Sequence, residues 1–115
     1  MSKMFTPDVK RLLGEFLLDA DEQAGAQVQS DAIKAEWVQR DDIAAAMRPW
    51  LEATREDPDA ADGWSDAALK AYPDALYWQL ALFRTCARLA LERIEQAENA
   101  AYVEVMRANP VFGMF

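Results

Sequence analysis

Eight apolar residues, Leu76, Leu80, Phe83, Ala87, Ala90, Ile94, Ala97 and Ala101, recur in alternating steps of four and three. They lie in a segment, Asp74 to Ala108, that contains neither glycine nor proline. A seam of this period holds one face of a helix toward a partner surface over its whole length. A strand would turn four of the eight, Phe83, Ala87, Ala97 and Ala101, to the opposite side. The segment therefore has to be a helix, and the rest of the chain has to supply what it packs against. Up to Leu91 the neighbouring faces are also apolar, with Trp78, Leu82, Cys86 and Leu89. Beyond it Glu92, Arg93, Glu95, Gln96, Glu98 and Asn99 make them polar. The first half is expected to be the central core helix. Gln79, Arg84 and Arg88 interrupt it too often for a membrane span.

Length sharpens the expectation. The 35 residues from Asp74 to Ala108 make roughly 50 Å of unbroken helix. A compact chain of 115 residues has a radius of gyration near ~13 Å. The helix must bend, or its end must project toward a partner. Asn109-Pro110 offers a third outcome, a tail turned back onto the bundle.

The preceding sequence reads as further helices. Thr6 and Pro7 suit a helix start, and Val9, Leu12, Leu13, Phe16 and Leu17 follow at spacings of three and four, with Gly25 near the end. A second helix is expected from a cap at Ser30 or Asp31, with Ile33, Trp37, Ala44, Met47 and Leu51 on its stripe and a kink or break at Pro49. Ser65 is expected to cap a short helix reaching Tyr72, where Tyr72-Pro73 ends it. Alanine supplies 22 residues while glycine and proline together supply nine, so local preference agrees with the periodicity. The fold class expected is all-α: a compact bundle of about four main helices, the second kinked or broken at Pro49, with a long C-terminal helix. Residues 1–115 form one domain, and 109–115 are a candidate apolar interface tail.

Composition excludes several functions. There is no histidine, which removes histidine phosphotransfer, Ser-His-Asp and Cys-His relays, His-containing zinc sites and the Glu-x-x-His half-sites of di-iron bundles. The lone Cys86 makes no internal disulfide, and its apolar surroundings predict a core thiol. The net charge is −8, all of it carried by residues 1–74. With no basic cluster, direct nucleic-acid binding is not expected. The N-terminal MSKMFTPDVKRLLGEF lacks a long apolar core and a small-residue cleavage site, so a mature cytoplasmic protein is expected.

The stretch EDPDAADGWSD, residues 56–66, is rich in carboxylates and has no base. An EF-hand register gives Asp57 and Asp59 at positions one and three. It then places Ala61 at five, Asp62 at six and Ala68 at twelve, which fails at ligand, turn and bidentate glutamate together. No metal or other cofactor is expected. Asp41-Asp42 and the series Glu92, Glu95, Glu98 offer carboxylates but no oriented acid–base pair, so an enzyme using surface carboxylates is the remotest reading. Trp64 follows Asp62-Gly63 and either clamps the acidic loop to the bundle, the preferred role, or anchors a partner. Trp37, Trp50 and Trp78 are expected in the core.

Two binding functions remain. The preferred one is a non-enzymatic accessory subunit, adaptor or inhibitor that contacts another protein, or a second copy of itself, through Ala97, Ala101, Val105, Val111, Phe112, Met114 and Phe115. The alternative is an acidic nucleic-acid mimic. It would present Glu52, Glu56, Asp57, Asp59, Asp62 and Asp66 to the groove of a basic nucleic-acid-binding protein.

Overall fold

The computed structural model describes the backbone of residues 4–22, 26–61 and 63–108, and the side chains of these residues except 21, 22, 26–30, 60, 61 and 108. Among the described residues five α-helices run in the order α1 (Pro7–Glu22), α2 (Ala26–Trp37), α3 (Asp41–Glu56), α4 (Trp64–Ala71) and α5 (Tyr77–Ala108). A single 3₁₀ turn, Pro58–Ala61, lies between α3 and α4. The all-α bundle with its long C-terminal helix is the fold the periodicity predicts.

The apolar stripes converge on α5. From α1 come Val9, Leu12, Leu13, Phe16 and Ala20; from α2, Ile33 and Trp37; from α3, Ile43, Ala44, Met47, Trp50 and Leu51. Trp64 and Ala68 of α4 close one end. Against them α5 sets Leu80, Leu82, Phe83, Cys86, Ala87, Ala90 and Leu91, and its most extensive partner is α3. Aromatic edges interlock at the centre: the Phe16 ring meets Trp37 at 5.2 Å and Phe83 at 5.5 Å, both edge to face.

Local chemistry sets the boundaries. The Thr6 hydroxyl accepts the Val9 amide at 3.3 Å, capping α1 with Pro7 in its first position, as expected. The division of the second helix is displaced from its predicted place. It falls at Val38–Arg40, where the Gln39 and Arg40 amides make short turns to the Glu36 and Trp37 carbonyls. Asp41 and Asp42 then open α3, where their charges favour a helix N-terminus. Helix α3 continues through Pro49. Proline lacks the amide that would bind the Ala45 carbonyl, and burial of Met47, Trp50 and Leu51 around it offsets the loss.

Gly63, not Ser65, is the N-cap of α4. Its φ of 88° is the left-handed conformation that glycine adopts without steric cost. Ser65 lies inside α4, and its Oγ accepts Arg84 Nη1 at 3.0 Å. Helix α5 begins three residues later than Asp74. The Gln79 side chain reaches back to accept the Leu76 amide at 2.8 Å, half of a capping box. Leu76, the first seam position, therefore precedes the helix and is 52 % exposed. Trp78, expected in the core, is 37 % exposed, whereas Trp64 is fully buried among Phe5, Trp50 and Phe83. The clamping role expected of Trp64 is the one it has.

At 32 residues, α5 is about 48 Å long. The radius of gyration is 17.2 Å and the longest dimension 59 Å, well beyond a compact chain of this length. Leu91 is the last buried residue of α5, Ile94 is half-buried, and every side chain from Gln96 to Arg107 is exposed. Between bending and projection, the described part of α5 takes projection.

Candidate protein interface

The exposed end of α5 inherits its pattern from the buried part. At 3.6 residues per turn, Ile94, Ala97, Ala101 and Val105 continue the stripe that Leu80, Phe83, Ala87 and Ala90 present to the core. Where the bundle stops, the stripe does not. Val105 is 64 % exposed and Tyr102 63 %. Tyr102 borders the stripe on one edge, and Met106, one turn beyond Tyr102, lies further round the helix. Val103 is also exposed but points away from it. Of the residues expected at an interface, Ala97, Ala101 and Val105 are thus together on one exposed face. Val111, Phe112, Met114 and Phe115 lie outside the described residues, as does a tail turned back by Asn109-Pro110. Tyr102 was not among the expected contacts. Its spacing of four from Met106 and three from Val105 is the signal that finds it.

The base of this projection is held firmly. Arg55 of α3 binds Glu95 at 2.8 Å, and the hydrogen bond from Arg55 holds the Glu95 carboxyl below its usual range. Arg93 donates to the Val38 carbonyl at 3.0 Å and to Asp41. These contacts tie α5 to α3 and to the α2–α3 junction just before it leaves the bundle. That junction is in turn fixed by Arg40, which binds Asp42 at 2.7 Å and Glu15 of α1 at 3.1 Å and lies 4.1 Å from the centre of the Trp37 ring. Trp37 Nε1 donates to Asp19 at 2.8 Å.

The acidic alternative looks different once assembled. Glu52, Glu56, Asp57, Asp59 and Asp66 are exposed, and Asp62 lies outside the described residues. Several already have local work. Glu52 pairs with Arg48 at 2.9 Å. Asp57 accepts the Asp59 amide at 3.0 Å, the turn that opens the 3₁₀ segment. Asp66 lies in the first turn of α4. The other carboxylates weighed from sequence are also divided among separate bases. Asp41 goes to Arg93, Asp42 to Arg40, Glu92 to Arg88 and Glu95 to Arg55. Among the described residues no three acidic or cysteine side chains gather as a metal site. Cys86 is fully buried, and burial pushes its thiol up to about 11.

A second surface feature was not visible in the periodicity. A groove of about 450 Å³ runs between α1 and the α4–α5 turn, lined by Gly14, Leu17, Leu18, Tyr72, Pro73 and Ala75, with Gln79 at its floor. Two of its polar groups are committed: Tyr72 Oη donates to the Lys10 carbonyl at 2.9 Å and Gln79 Oε1 holds the Leu76 amide. Leu18, 67 % exposed, forms one wall. The clue was Gly14, a glycine inside an otherwise good helix.

The chain matches no protein-family model, no curated protein and no solved structure. Among the described residues no helix is long and apolar enough to cross a membrane.

Proposed function

We propose that this chain is a non-enzymatic helical binding protein of the cytoplasm, an accessory subunit, adaptor or inhibitor, that engages another protein through the projecting end of α5. One observation carries the reading. The seam that builds the core continues as Ala97, Ala101 and Val105 onto an exposed helix, with the exposed Tyr102 at its edge. Apolar surface repeated at helical spacing and left bare marks a contact surface. Covering about 100 Å² of it contributes roughly 2.5 kcal/mol before ordering costs. Those costs are lowered here because the helix is already formed and its base is pinned by Arg55 and Arg93.

The test is capture from the native cell. The tagged chain is purified beside an untagged copy and compared with Tyr102→Glu and Val105→Glu variants of unchanged helicity. The reading expects a stoichiometric chain, of either kind, that both variants lose by at least tenfold. Retention of the same chains by both variants at wild-type yield would rule out the α5 end as the contact. A complex that instead disappears when Glu56, Asp57 and Asp59 become their amides, and that is strongly salt-sensitive, would replace this reading with acidic mimicry.

A further inference from the structure

We draw no further inference here: the strongest candidate, the groove between α1 and the α4–α5 turn lined by Gly14, Leu17, Leu18, Tyr72 and Pro73, is an unpartnered apolar face, and nothing in the structure shows what covers it.

Discussion

Gly14 sits in the middle of α1, where alanine would ordinarily be worth about 1 kcal/mol more than glycine. Here a Cβ would lie 2.5 Å from Tyr72 Oη and 3.2 Å from its Cζ. Tyr72 must move by about 1 Å to restore an ordinary contact. That movement breaks the 2.9 Å hydrogen bond from Oη to the Lys10 carbonyl, which is worth about 0.5–1.5 kcal/mol. It also lifts the ring off α1, at roughly 1 kcal/mol of lost packing. Gly14→Ala should therefore destabilise by about 0.5–1.5 kcal/mol. In a Tyr72→Ala background the obstacle is gone and the same change should stabilise by about 1 kcal/mol. The coupling between the two sites is then about 1.5–2.5 kcal/mol. Urea unfolding of the four proteins, with two-state behaviour checked by fluorescence and circular dichroism, measures it directly. Effects that add to within about 0.5 kcal/mol would refute the idea that Gly14 is there to admit Tyr72.

Two tryptophans should part company in the same assay: Trp64→Ala should cost about 3–5 kcal/mol, whereas Trp78→Ala, at a partly exposed site, should cost roughly 1 kcal/mol. The hydrogen bond from Arg40 holds the Asp42 carboxyl below its unfolded value of 3.8. Its contribution is therefore present above that pH and lost as pH falls through the lowered folded value. Asp42→Asn should leave a shallower acid limb in the unfolding midpoint measured from pH 7 to pH 2, at a cost near neutrality below about 1 kcal/mol because the pair is partly exposed. The Cys86 thiol, raised by burial to about 11, should react with a disulfide reagent at pH 8 at least about a hundredfold more slowly in the folded protein than in urea. Labelling at the unfolded rate would place it at the surface.

Much of the architecture was legible because helical period and hydrophobic burial report the same thing. Leu80, Phe83, Ala87 and Ala90 are in the core since no other face of α5 could be. The errors arose where a single residue type was read without its surroundings. Pro49 looked like a break because it lacks an amide, but Met47, Trp50 and Leu51 bury around it and keep α3 continuous. The true break is at Val38–Arg40, and its signal was Asp41-Asp42, read as a carboxylate pair rather than as a helix start. Ser65 looked like a cap, but Gly63 can take a positive φ and comes first. Trp78 lies so near the start of α5 that the bundle covers only part of it. The stripe on α5 was readable from spacing. That it would be left exposed depended on where the other helices end, which only the packed bundle fixes. The groove beside Gly14 depends on contacts between residues far apart in sequence, so the glycine marked an unusual place in α1 without showing what lies against it.

The central claim, that the end of α5 is covered by another chain, is tested most directly by amide hydrogen exchange along that helix with and without its captured partner. The account predicts that amides from Ala97 to Arg107 gain at least about tenfold protection in the complex and lose it when the partner is removed. Amides from Leu80 to Leu91, buried in the bundle, should not change. Equal exchange of Ala97 to Arg107 in the free chain and in the complex would contradict it.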